Sequence, residues 1–320
     1  MKRQYVKDLK PGIPIDDVFF VTRRDIRERR DGTPFLTFDL MDKTGNVAAI
    51  MWDRVEDAIS CVEPGGFFRV QGKLGNYQGR PQLTVAVIYP ADPKDIDRDD
   101  FLRATRHDRG KMMSELQSYI ETVEDRHLKK LLAAFFDEES FTKEFALAPG
   151  GAQVHHNYLG GLLEHTVMMA RVAAALPTAY PELNHDLLMT GVLLHDVGKV
   201  REYTYEVALD HTWDGRLIGH IVMGYEIVKE KMSQIPGFPE ELGRMLLHTV
   251  LAHHGHLEHG SPKTPKFAEA IVVYFLDNMD ARIMMFRGAI EKNPGTKWTD
   301  YQQYLETNVY IPDRPKVPES

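Results

Sequence analysis

Twelve of the 14 histidines in this 320-residue chain fall between residues 151 and 260. His165 follows one apolar stretch, and His195 and Asp196 stand together at the end of another. His220 opens a third, His253 and His254 close a fourth, and Asp277 lies in the last long apolar segment. Imidazole with carboxylate is a ligand set for Mn, Fe, Co, Ni or Zn. A single cysteine, Cys61, leaves no thiolate cluster for a structural zinc site. A carboxylate bridges two ions more readily than a histidine, so Asp196 could join two cations roughly 3.5–4 Å apart. Of His253 and His254 only one comfortably reaches a given ion, and His253 is preferred. Asp280 lies one helical turn beyond Asp277, so either could be the ligand and the other its outer partner. His185, His211, His248, His256 and His259 read as ordinary surface or hydrogen-bonded side chains.

Two kinds of element must position these groups. Residues 1–90 alternate short β-like runs with turn signals: 17–29, 35–42, 46–53, then a helical 54–62, then 67–75 and 80–90. Three strands, a helix and two strands is the order of an all-β OB-fold barrel. Residues 91–105, polar and acidic, read as a linker. From 106 to 305 the apolar spacing is close to 3.6, which predicts an all-α helical bundle; 306–320 is Pro-rich and reads as a loose tail. Bundle cores build metal sites from side chains on facing helices.

Composition narrows the class further. The net charge of −8 divides into +2 over residues 1–90 and −10 over the remainder, which excludes a uniformly basic nucleic-acid coat. No apolar run approaches the ~20 residues a bilayer requires. With no apolar leader and one cysteine, the sequence predicts a cytoplasmic protein without a membrane partner. A homo-oligomer is compatible with it.

The helical region resembles the HD-domain phosphohydrolases, named for their His-Asp pair. The resemblance rests on HHNYLGGLLEHT (155–166), GVLLHDVGK (191–199), GRLIGHI (215–221) and AEAIVVYFLDNMDA (268–281). Behind an OB-fold, these stretches are similar to the YhaM-type 3′→5′ exoribonucleases over nearly the whole chain. The resemblance implies that His165, His195, Asp196 and Asp277 are core metal ligands. Binuclear HD enzymes add histidines that match His220 and His253 or His254. It also implies dependence on divalent metal, typically manganese, and release of mononucleotides from a single-stranded 3′ end.

The chemistry expected is hydrolysis of single-stranded RNA, or of single-stranded DNA, to nucleoside 5′-monophosphates by a metal-bound hydroxide. Asp196 is the catalytic candidate. Lys199 reads as a phosphate contact, a partner of Asp196 or a helix C-terminal cation. His155, His156 and Tyr158 are candidates for lining the substrate pocket. In the barrel, Phe35, Trp52 and Tyr77 with Lys43 and Arg80 are candidates for holding the strand, and Arg27, Arg29, Arg30 and Lys73 lie close to loops. An HD enzyme acting on cyclic dinucleotides is disfavoured, because HHGHLEHGSP (253–262) offers Gly260-Ser261-Pro262 where a Gly-Tyr-Pro element is usual. A nucleotide phosphohydrolase would have no need of the barrel. A non-catalytic single-strand-binding protein with a structural metal would have no need of the complete ligand set.

Overall fold

Alternating strands put one face of a sheet inward, and a sheet with no partner buries that face by closing on itself. The computed structural model describes residues 2–77, 79–97, 100–151, 156–205, 209–293 and 295–313, with the Arg80 side chain outside the described set. In it β1 (Pro14–Glu28), β2 (Pro34–Asp42), β3 (Gly45–Met51), β4 (Phe67–Tyr77) and β5 (Arg80–Pro90) close a barrel in the order β1-β2-β3-β5-β4. The β3–β5 pairing is parallel and the others are antiparallel. Helix α1 (Val55–Cys61) connects β3 to β4, which completes the expected OB-fold. Phe19, Leu36, Leu40, Val70 and Leu83 fill the interior. A bulge between Val21 and Arg23 lets one long strand pair first with β4 and then with β2.

The chain divides into two units, Met1–Ala104 with Thr204–Leu209, and Thr105–Tyr203 with Asp210–Ser320. Much of the stretch read as a linker belongs to the first. Phe101 is buried with Val18 and Phe20, Ala91 and Ile96 pack beside it, and Asp100 pairs with Lys43 at 3.1 Å. The acidic residues around Ile96 and Phe101 mask two apolar anchors.

The second unit contains α2 (Arg109–Glu121), α3 (Arg126–Phe136), α4 (Glu139–Leu147), α5 (Gly161–Ala179) and α6 (His185–Leu194). After these come α7 (Lys199–Glu202), the short strands β6 (Tyr203–Thr204) and β7 (Asp210–His211), and α8 (Trp213–Leu217). Three long helices complete the bundle: α9 (His220–Ser233), α10 (Glu240–Ala252) and α11 (Ala268–Glu291). Asp108, Asp125 and Asn184 cap α2, α3 and α6 by accepting backbone N–H bonds in the first turn. Every residue of α6 from Leu187 to Leu194 is buried, as a helix apolar on all sides must be. It packs against α5, α10 and α11 and delivers His195 into the middle of the bundle. The stretch expected to be a loose tail forms β9 (Thr307–Tyr310) against β8 (Trp298–Gln302). Leu305 and Val309 anchor this hairpin on Ala289 of α11. No helix among the described residues is long and apolar enough to cross a membrane.

One close approach sets the site's dimensions. A Cβ on Gly198 would lie 2.0 Å from the His220 carbonyl oxygen and 2.6 Å from the Gly224 nitrogen. Only a glycine there lets the first turn of α9 rest directly on the turn after His195-Asp196. Gly198→Ala should therefore destabilise the fold by roughly 1–3 kcal/mol in urea unfolding. An unchanged midpoint would show that the contact can relax at no cost.

Candidate metal centre

An α-helix leaves its last carbonyls without partners. His195 and His253 stand directly after α6 and α10 and use those carbonyls. His195 Nδ1 donates to Val192 O at 2.8 Å and His253 Nδ1 donates to Val250 O at 2.7 Å. A carbonyl only accepts, so Nδ1 carries the proton and Nε2 presents its lone pair away from the helix. His165, in α5, donates Nδ1 to Asp280 Oδ2 at 2.6 Å. His220, the first residue of α9, donates Nδ1 to Glu202 Oε1 at 3.0 Å, and His254 Nδ1 donates to His259 O at 2.9 Å. Five histidines thus each have Nδ1 fixed by a different oxygen.

Four of their Nε2 atoms, those of His165, His195, His220 and His253, surround Asp196. Its Oδ2 lies 3.3 Å from His195 Nε2 and 3.9 Å from His165 Nε2. Its Oδ1 lies 3.4 Å from His253 Nε2 and 3.5 Å from His220 Nε2. Asp277 Oδ1 is 3.3 Å from His165 Nε2. Among the described residues, His165, His195 and Asp277 form one group with metal-binding spacing, and His220, His253 and His254 form another. The Nε2 atoms of His165, His195, His220 and His253 and the Oδ1 of Asp196 are buried without a hydrogen-bond partner. An orphaned buried polar atom costs about 1–3 kcal/mol. Five of them aimed at one place, in a set of imidazoles and carboxylates, fit divalent cations. The third group with such spacing, His156, His165 and Asp280, is accounted for by hydrogen bonds within it.

Burial would raise the Asp196 carboxyl, but Lys199 and then His195 outweigh it and hold the group well below the usual carboxylate range. The Lys199 ammonium lies 2.6 Å from Asp196 Oδ2, donates to Gly150 O at 2.6 Å, and is only 5% exposed. Of its expected roles, partner of Asp196 is the one this geometry fits; its burial takes it away from a phosphate. Burial, then the neighbouring His253, pushes His254 down to about 4, which keeps it neutral. Burial also works against a charge on His165, but Asp277 and Asp280 outweigh it and raise the metal-free imidazole to about 9.

The HD domain family matches residues 162–282, and the OB-fold nucleic acid binding domain family matches residues 20–91. A 3′-5′ exoribonuclease YhaM of Geobacillus sp. (strain WCH70) is 36% identical over 282 residues, 88% of this chain and 86% of the relative. The 3′-5′ exoribonuclease YhaM of Bacillus subtilis (strain 168) is 32% identical over 281 residues, 88% of each chain. The chain belongs to the YhaM family of 3′-5′ exoribonucleases. It is accordingly a hydrolase of the nuclease class, with a barrel of the nucleic-acid-binding kind.

Other expected site residues of this YhaM-family chain divide three ways. His253 and His254, read as alternatives, fall in the same group, because the histidine after the helix end turns with Gly255 toward His220. His156 does not line a pocket: it is 1% exposed and bonded to Asp280, with Tyr158 OH 3.0 Å from its other ring nitrogen. His155 lies outside the described residues. On the barrel, the Phe35 and Trp52 rings stack at 4.7 Å, with the Arg29 guanidinium 5.2 Å over Trp52. Lys43 is not near them. It lies eight residues along from Phe35, roughly 25 Å at strand rise, where it pairs with Asp100. The β3–β5 register sets Tyr77 and Arg80 toward that far end also, since Gln82 is opposite Ala48. The Arg80 side chain lies outside the described residues.

Sequence reasoning missed Glu202, the oxygen behind His220. Its one signal is an acidic residue six positions past Asp196 in an otherwise apolar and basic stretch. Gly215 packs on its backbone, where a Cβ would lie 2.2 Å from Glu202 O.

The His165 shift has a sign that can be tested. Its folded value, about 9, lies above the ordinary 6.5. The stabilisation from its pairing with Asp277 and Asp280 is therefore complete below about pH 6.5 and lost as pH rises through about 9. The melting temperature of metal-stripped protein should fall across that window, and His165→Gln should flatten the fall. A wild-type curve already flat there would show that His165 is neutral before metal binds.

Proposed function

We propose that this protein removes nucleoside 5′-monophosphates one at a time from the 3′ end of single-stranded RNA, using two divalent cations, manganese by the family resemblance. One observation carries the reading: the Nε2 atoms of His165, His195, His220 and His253, each ring fixed by a bond at Nδ1, converge in two pairs on the two oxygens of one buried carboxylate, with His254 beside the second pair. One cation would be held by His165, His195 and Asp277 and the other by His220, His253 and His254, with Asp196 between them. Such a pair supplies a lowered pKa for water and neutralises the phosphoryl oxygens.

The chain's own contribution is preorganisation. Lys199 keeps Asp196 ionised, and Val192, Val250, Glu202, Asp280 and His259 keep the imidazoles from rotating. Fixed ligands need no reorganisation when the phosphorane-like charge develops. In the overall reaction water adds its oxygen to the terminal phosphorus, and the bond to the upstream 3′ oxygen breaks. That oxygen leaves as a hydroxyl on the shortened chain.

The stacked Phe35–Trp52 pair under Arg29 suits an unpaired base, because every base offers a π face and a phosphate accompanies it. Trp52 is 39% exposed, so part of the pair is accessible from solvent.

A 5′-labelled single-stranded RNA incubated with metal-stripped protein should give a ladder shrinking from the 3′ end only when Mn²⁺ is added. Asp196→Ala should reduce this to background with circular dichroism unchanged. RNA left intact by the metal-loaded wild type would overturn the reading. Trp52→Ala should weaken RNA binding by about 1–3 kcal/mol in a filter or anisotropy assay, most of it appearing in KM. Equal affinity in that variant would move the strand off the Phe35–Trp52 ledge.

A further inference from the structure

We infer that Asp280 is a positioning residue dedicated to one of the two cation positions, and that a strained histidine, His156, exists to hold it there. The inference rests on the two-cation reading above and deepens it.

Asp280 Oδ2 receives two hydrogen bonds, from His165 Nδ1 at 2.6 Å and from His156 Nε2 at 2.8 Å, and the residue is 7% exposed. With Nε2–H of His156 directed at Asp280, its Nδ1 accepts from the Tyr158 hydroxyl 3.0 Å away. A continuous chain therefore runs Tyr158, His156, Asp280, His165, and ends at the Nε2 that faces Asp277.

The backbone is shaped to deliver His156. Its φ is 49°, in the left-handed region that few residues other than glycine adopt. A Cβ on Gly161 would lie 2.1 Å from the His156 carbonyl oxygen, and one on Gly150 would lie 2.6 Å from the His156 Cβ. Glycines on both sides thus allow the turn to wind tightly enough to bury the imidazole. Strain of this kind persists only where surrounding contacts over-determine it. Gly150 donates its N–H to His156 O at 2.9 Å and accepts from Lys199 at its own carbonyl, so it links His156 to the partner of Asp196.

Among the described residues nothing comparable joins Asp280 to the other position. His220 has its own carboxylate, Glu202, and His253 and His254 rest on backbone carbonyls. Each position therefore has one carboxylate-backed imidazole, and an outer carboxylate both fixes the ring and raises its basicity as a ligand. Asp280 and Glu202 tune the two positions separately.

Titration of metal-stripped protein with Mn²⁺ by calorimetry tests this without reference to activity. The wild type should take up two ions. Asp280→Asn should weaken one of them by about 10–100-fold and leave the other within twofold, the usual range for an outer carboxylate on a histidine ligand. Glu202→Gln should weaken the ion that Asp280→Asn spares, so the double variant weakens both. Should Asp280→Asn fail to fold, His156→Asn, which tolerates the left-handed backbone, should weaken the same ion by a smaller factor. Wild-type affinity for both ions in Asp280→Asn, or an equal loss at both, overturns the assignment while leaving the metal centre standing. A wild type that binds no Mn²⁺ overturns both.

Discussion

The second unit is organised around one buried carboxylate shared between two sets of imidazoles. Asp196 is 2% exposed, and taking an ionised carboxylate that far from water is expensive unless it is paired. Lys199 supplies one partner, but the histidine nitrogens facing both oxygens are lone-pair donors and cannot serve as hydrogen-bond partners while neutral. That conflict is what a cation resolves. Helix packing follows from it: α6 must be apolar on every side to carry His195-Asp196 inward, and α9 must reach the turn closely enough that Gly198 carries no side chain.

Much of this was legible in the chain. The strand-strand-strand-helix-strand-strand order determined the barrel, because alternation with turn residues leaves few other ways to bury one face. The candidate ligands could be picked out because histidines at helix ends have no packing rationale of their own, and the structure brings them together. What failed to show was of a different kind. Ile96 and Phe101 were hidden by flanking aspartates, and Val309 by a proline-rich context, so part of the stretch read as a linker and the start of the one read as a loose tail are packed. Short apolar anchors carry no period to detect.

The outer layer was less visible still. Asp280 could be seen one turn from Asp277, but nothing in spacing says which of two carboxylates faces an ion and which faces an imidazole. Glu202 and His156 act through single contacts made across the fold, and His156 depends on a backbone angle that no residue type announces. Lys199 shows the same limit: beside an Asp in a phosphate enzyme it reads as a substrate contact until its burial is known. The barrel candidates separated for a geometric reason, because residues close in sequence to a strand's two ends lie a full strand length apart.

The candidate ligands lie in or directly after five helices, α5, α6, α9, α10 and α11, so the two candidate cation positions come together only in the assembled bundle. An unfolded chain has the same histidines and aspartates but not the paired arrangement around Asp196. In the assembled bundle Asp196, Asp277, Asp280 and Glu202 are enclosed, with Lys199 beside them. In the language of energy landscapes, this leaves a knot of local frustration at the centre of an otherwise consistent fold. A cation bound there would relieve it within walls that the folded helices already set.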